Sequence, residues 1–200
     1  MNSDWAEGFL SCIQRMGEQH TNPVLLSLGG VQTVQPYQHY PGEAWYFGQG
    51  DWRVFYHSHP SPIMDSHEHG HFHFFTRPKG NEDWAHVVAC SMDHYGQPIN
   101  LFTTNRWVTD GVWFEAEQLS AQLYRLVTDK EDELPQSWFR NLLLLFQDEV
   151  QSLLEKRDSE VQRLCPNQYE RCYIDRSIYY LSINDIQLEQ KLQAALWRSA

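Results

Sequence analysis

Two hundred residues with 42% hydrophobic and 14% aromatic content supply enough apolar surface for one sizeable core, and the simplest organisation is a single domain over 1–200. Fifteen Lys and Arg against 26 Asp and Glu leave a formal net charge of −11, which argues against nucleic acid and anionic membrane as partners. No apolar run approaches the roughly 20 residues that span a bilayer, and Met1-Asn2-Ser3-Asp4 carries no charged segment leading into an apolar one, so the expected location is cytoplasmic.

From Asp4 to Gln19 the residues Trp5, Phe9, Cys12, Ile13 and Met16 recur at helical spacing behind Ser3 or Asp4 as N-cap, which predicts an amphipathic helix. Between about Val31 and Val108 the texture changes to short β-branched and aromatic runs. Pro36, Pro41-Gly42, Gly48, Gly50, Pro60, Pro62, Pro78 and Gly80 punctuate them, as expected of antiparallel sheet. The clearest hairpin joins His86–Asp93 to Ile99–Val108 through His94-Tyr95-Gly96-Gln97-Pro98. Helical spacing resumes after Gly111, over Phe114–Thr128 and then in one long helix, about Pro135–Leu164, with Phe139, Leu143, Phe146, Val150, Leu153, Val161 and Leu164 near one stripe. A last helix is expected from Asp185 to Arg198. The fold class is therefore α+β: a central antiparallel sheet or partial barrel, about 31–110, flanked by an N-terminal helix and a mainly helical region, about 111–200. The long stripe fits a core helix or a self-associating coiled coil, with Arg157 interrupting the seam, so a homo-oligomer stays open. Cys12, Cys90, Cys165 and Cys172 form no Cys-x-x-Cys pair and read as buried free thiols.

Seven of the ten histidines fall between His57 and His86. In the run His67-Glu68-His69-Gly70-His71-Phe72-His73-Phe74-Phe75 four of them recur at every second residue. An extended strand places those four on one face and Phe72 and Phe74 on the other. His57-Ser58-His59 ends a second apolar run, Trp52–Tyr56, so two neighbouring strands can converge five or six imidazoles on one patch. Neutral imidazole is the commonest protein ligand for first-row transition metals. Two His-x-His pairs on adjacent strands need the least distortion to meet, which makes His57, His59, His69 and His71 the expected metal ligands. His67 and His73 sit at the ends of the run in outer positions, and whether His39 or His86 joins is open. All-nitrogen ligation suits Fe, Cu, Zn or Ni alike.

Three further features stand near the histidines. His39-Tyr40-Pro41-Gly42-Glu43 reads as a turn. Glu68 lies on the strand face opposite the four histidines and reaches them only through a bulge or bend at Gly70, in which case it can accept an imidazole N–H or move protons. Arg106, in the strand-like run Thr103–Thr109, is the expected clamp for a substrate carboxylate or phosphate. Glu68 and Arg106 are accordingly the expected catalytic residues.

The ordered set His39-Tyr40-Pro41, Tyr56-His57-Ser58-His59, Glu68-His69-Gly70-His71-Phe72-His73-Phe74 and Thr103-Thr104-Asn105-Arg106-Trp107-Val108-Thr109 resembles an uncharacterised bacterial protein family of unknown function, over about residues 36–113. The tract His69–Phe75 is also similar, apart from Gly70 at an apolar position, to the motif of histidine-triad hydrolases and transferases. That resemblance implies His71 as a nucleophile accepting a nucleotidyl group. Three functions follow: a transition-metal enzyme acting on a small-molecule substrate, a metal-binding or delivery protein without turnover, and a histidine-triad-like nucleotide hydrolase or transferase.

Overall fold

The computed structural model describes residues 2–60, 67–78, 82–128 and 133–197, so Pro62, Gly80 and Arg198 lie outside the described residues. Helix α1 (Asn2–Glu18) and the short α2 (Pro23–Leu28) lead into five strands, β1 (Tyr40–Phe47), β2 (Trp52–His57), β3 (Glu68–Thr76), β4 (Ala85–Asp93) and β5 (Pro98–Thr104). Helices α3 (Arg106–Thr109), α4 (Ala116–Leu126), α5 (Gln136–Leu145), α6 (Gln147–Leu164) and α7 (Tyr169–Tyr173) follow. The chain then returns through β6 (Tyr180–Asp185) and ends in α8 (Leu188–Trp197). The strands form one open antiparallel sheet in the order β1-β2-β3-β4-β5-β6, so the architecture is α+β.

Alternation along β3 decides which face of this sheet the helices cover. Phe72 and Phe74 are fully buried, together with Val54 and Tyr56 of β2, Cys90 of β4 and Leu101 of β5. On this face Phe72 lies 5.0 Å from Phe139 and 6.1 Å from Trp138, and Phe74 lies 5.8 Å from Phe139, both partners belonging to α5. Helix α5 is buried almost all round, which accounts for the unbroken run Leu142–Leu145. Phe9 of α1 packs on Trp138 from the far side at 5.6 Å. Among the described residues no helix is long and apolar enough to cross a membrane.

Three elements depart from the sequence expectation, each for a local reason. The helix predicted over Pro135–Leu164 is two, divided at Phe146, whose φ of −105° and ψ of 21° leave the helical region. The first piece is buried and the second packs one face, Val150, Leu153, Leu154, Arg157 and Val161, against the molecule; Arg157 is 3% exposed, donates to the Phe114 carbonyl at 2.6 Å and sits 4.0 Å over the Trp113 ring. Strand β5 stops at Thr104 and not near Val108, because the buried Asn105 turns the chain. Its Oδ1 accepts from the Arg106 amide at 2.8 Å, and its Nδ2 donates to the carbonyls of Cys172, Asp175 and Ile178 at 2.8, 3.3 and 3.3 Å. Asn105 thus ties β5 to the segment that enters β6, a sixth strand lying in the stretch expected to be helical. Asp185 ends that strand, and the last helix begins three residues later.

Truncating Phe72 to Ala empties a site walled by Phe74, Trp138 and Phe139 and should destabilise the fold by about 3–5 kcal/mol in urea unfolding. A loss below about 1 kcal/mol would contradict its placement in the core.

Candidate metal centre

The opposite face of the sheet carries the histidines, and strand pairing arranges them in transverse rows. Arg53 of β2 pairs with Phe75 of β3 and Phe75 with His86 of β4; Phe55 pairs with His73 and His73 with Ala89; His57 pairs with His71 and His71 with Ser91. His57, His71 and His73 therefore sit on two adjacent rows. Their ligand nitrogens come together: His57 Nε2 is 2.8 Å from His71 Nε2 and 3.1 Å from His73 Nε2, and one nitrogen from each lies within 4.8 Å of the others. Two nitrogens bound at about 2.1 Å to one ion are roughly 3 Å apart at a right angle, so the His57–His71 and His57–His73 spacings each fit two imidazoles sharing one transition-metal ion. This cluster can hold a metal ion.

Two bulges complete the arrangement. Between the pairs Gly70↔Met92 and Glu68↔Asp93 the strand β3 carries one extra residue, His69, which returns Glu68 to the histidine face. Glu68 Oε1 then lies 2.5 Å from His71 Nδ1. A carboxylate only accepts, so Nδ1–H donates and the lone pair of Nε2 is left facing the cluster. The second bulge lies in β4 between Phe74↔Val88 and Phe75↔His86, and it turns His86 onto the same face. His86 Nε2 is 2.9 Å from His73 Nδ1, a bond that again frees Nε2 of the ligand histidine when Nδ1–H donates.

Burial keeps these rings neutral. His71 and His73 are each 1% exposed. Desolvation, with smaller contributions from neighbouring histidines, lowers the pKa of His57 to about 2 and of His71 to about 3, and carries His73 well below its ordinary value. His86 falls to about 3 by burial and, secondarily, by the charge of Arg157. Neutral imidazole is the metal-binding form.

The structure brings together only part of the set expected from sequence. His57, His71 and Glu68 are in place. His59 stands beside them, its ring 4.8 Å from His57 and 5.2 Å from His71, with Nε2 3.1 Å from the Tyr179 hydroxyl. His69, the extra residue of the bulge, turns away: its Nδ1 is 2.6 Å from the Tyr56 hydroxyl, and its ring contacts that of His94 at 5.3 Å in the lining of a separate cavity of about 480 Å³. Gly70 permits this crossing, since a Cβ there would lie 2.5 Å from the Tyr56 hydroxyl oxygen and 2.6 Å from the His57 carbonyl oxygen. His73, expected at the periphery, supplies the third nitrogen in place of His69. His67 is exposed in the turn before β3, and His39 stacks on Phe55 at 3.9 Å. Arg106 does not join them. It heads α3, pairs with Glu170 at 3.5 Å and lies 5.4 Å over Tyr173. Plain alternation could have placed His73; His86 and His69 depend on bulges, for which only Gly70 gives a sequence signal.

The sequence model of the family described as Domain of unknown function (DUF6969) matches residues 3–186. No curated protein and no solved structure matches the chain.

Replacement of His73 by Ala should abolish metal retention with the fold kept, whereas His69→Ala should leave metal content at the wild-type level. Glu68→Ala should weaken affinity 10–100-fold in a chelator competition, because the Nδ1–H partner of His71 is lost. Metal loss in the His69 variant with none in the His73 variant would reverse the assignment of the two faces.

Proposed function

The chain belongs to the DUF6969 family, whose description names no activity, and we propose that it is a transition-metal enzyme acting on a small molecule at a three-histidine site formed by His57, His71 and His73. The observation that carries this reading is the pairing of remote nitrogens: Glu68 engages Nδ1 of His71 and His86 engages Nδ1 of His73. Both partners orient a ring before any ion arrives, and the Glu68 carboxylate, which only accepts, also fixes the tautomer of His71. Three protein ligands leave coordination positions open, the arrangement found where a metal does chemistry and not where it only braces a fold.

A bound Fe, Cu, Zn or Ni ion supplies Lewis acidity and a place for a small ligand to bind. The protein's part is to hold and shield it. His71 and His73 exclude water by burial, Phe55 and Phe102 wall the cluster at 5.7 and 5.3 Å from His73 and His71 respectively, and His59 with Tyr179 provides a hydrogen-bonded polar pair beside it. A histidine-triad reaction is disfavoured: Nε2 of His71, the atom that would attack a phosphate, abuts His57 Nε2 at 2.8 Å, and the residue is 1% exposed. Metal delivery without turnover is the second reading. The engagement of Arg106 with Glu170 favours it, by removing the substrate clamp expected from sequence.

Untagged protein should purify with up to one equivalent of transition metal, and chelation should lower its melting temperature, since an ion bound only by the folded state stabilises it by mass action. Lack of metal, together with no stabilisation by added Fe(II), Cu(II), Zn(II) or Ni(II), would remove the proposal. Transfer of the ion to a small competing chelator separates the readings: retention for hours supports the enzyme, and release within minutes supports delivery.

A further inference from the structure

Arg53 lies on the histidine face, one row from Phe55 and His73 and two rows from His57 and His71. Rows two residues apart on a strand are separated by about 7 Å. Its guanidinium is half-buried, 4.7 Å from the centroid of Phe75 and 4.7 Å from that of Trp84. A second guanidinium, that of Arg77, lies 4.6 Å from the same Trp84 ring. Arg77 donates to the Gly50 carbonyl at 2.9 Å, but among the described residues neither arginine pairs with a carboxylate. Asp51, the nearest acid in sequence to Arg53, is taken by Arg125 at 3.7 Å. The Nε of Arg53 is buried with no hydrogen-bond partner. Burial pulls the pKa of Arg53 below its ordinary value, opposed by the Tyr46 hydroxyl and reinforced by the charge of Arg77.

Two cations sharing one ring, with no carboxylate paired to either among the described residues and a buried N–H unsatisfied, are costly in isolation and become favourable when an anion arrives. A planar guanidinium meets a carboxylate through two parallel N–H···O bonds. The surface leading from Arg53 to the metal ligands is aromatic: His39 stacks on Phe55 at 3.9 Å, Phe55 on Phe75 at 5.5 Å, and Phe55 contacts His73 at 5.7 Å. We propose that Arg53, supported by Arg77, is the binding site for the carboxylate of a small organic acid whose apolar or aromatic body lies over Phe55 toward the histidine cluster. Binding of the acid does not require the metal. Its role as the substrate of the three-histidine site rests on the function proposed above.

The test uses 3-phenylpropionate, with 3-phenylpropan-1-ol as its uncharged counterpart, titrated calorimetrically into the full chain before and after metal removal. The acid should bind both forms, the alcohol at least tenfold more weakly. Arg53→Gln should weaken the acid at least tenfold while metal content is unchanged. Arg53→Lys, which keeps the charge and loses the fork, should give intermediate affinity and is read instead if the Gln variant fails to fold by circular dichroism. Equal binding of acid and alcohol, wild-type affinity in the folded variants, or no binding of the acid to the wild type would overturn the proposal and leave Arg53 as a cation stacked on Trp84. Arg53-dependent binding in a protein that takes up no metal would sustain the anion site while the metal enzyme failed. Metal uptake with Arg53-independent binding would do the reverse.

Discussion

The structure depends on β3 being buried on both faces. A strand presents its side chains alternately to its two sides, and β3 gives phenylalanine to one and histidine to the other over Phe72–Phe74. The phenylalanine face holds the helices through Trp138 and Phe139, so the register of the strand cannot slip without exposing the core. A one-residue shift would drive His71 and His73 into the hydrophobic cluster. The same packing that stabilises the fold therefore fixes the position of two imidazoles to within the tolerance of a strand, which is the rigidity a metal site needs.

Strict alternation alone would not build the cluster. Had β3 and β4 remained regular, Glu68 would have faced the hydrophobic side with Gly70, and His86 would have shared a face with Val88. Each bulge inserts one residue and moves its neighbour across the sheet. The result is that each of the two innermost histidines of the cluster acquires a partner at its remote nitrogen. An ordinary hydrogen bond contributes about 1 kcal/mol net; at His71 the Glu68 carboxylate, which only accepts, also decides which nitrogen carries the proton, and hence which one can meet a metal. One bulge also turns His69 toward the Tyr56 hydroxyl, so the residue whose displacement delivers Glu68 lies outside the His57–His71–His73 cluster.

The fold was legible in the sequence to the extent that its periodicities were local. Helix α1, the β4–β5 hairpin and the helical stretch after Gly111 follow from spacing and turn residues alone. Strand β6 does not, because Tyr180–Asp185 is a short edge strand whose pairing to β5 comes from 75 or more residues away in the chain. Nor does the break at Phe146, where one apolar stripe continues while the backbone leaves the helix. For the candidate site, residue type and location were legible, and facing was not. His57 and His71 follow from His-x-His alternation, whereas the exchange of His69 for His73 required knowledge of a bulge that arises from strand pairing and from the narrow gap beside the Tyr56 hydroxyl at Gly70.

The two arginines carry the same lesson into electrostatics. Arg106 attracts attention in the sequence because it stands in a polar motif, yet in the fold Glu170 meets its charge and Tyr173 lies beneath it. Arg53 is inconspicuous between Trp52 and Val54 but pairs with no acid among the described residues, in a chain with 26 acidic residues for 15 basic ones. With carboxylates in such excess an exposed cation finds one easily, so a half-buried guanidinium with none among the described residues stands out. The cost of leaving it so is borne by its stacking on Phe75 and Trp84, which orders the guanidinium without using up its N–H donors. A guanidinium stacked between two rings with a buried N–H unpartnered, one row from His73 and joined to it by Phe55, is suited to recognition, whereas a surface arginine already paired with glutamate is not.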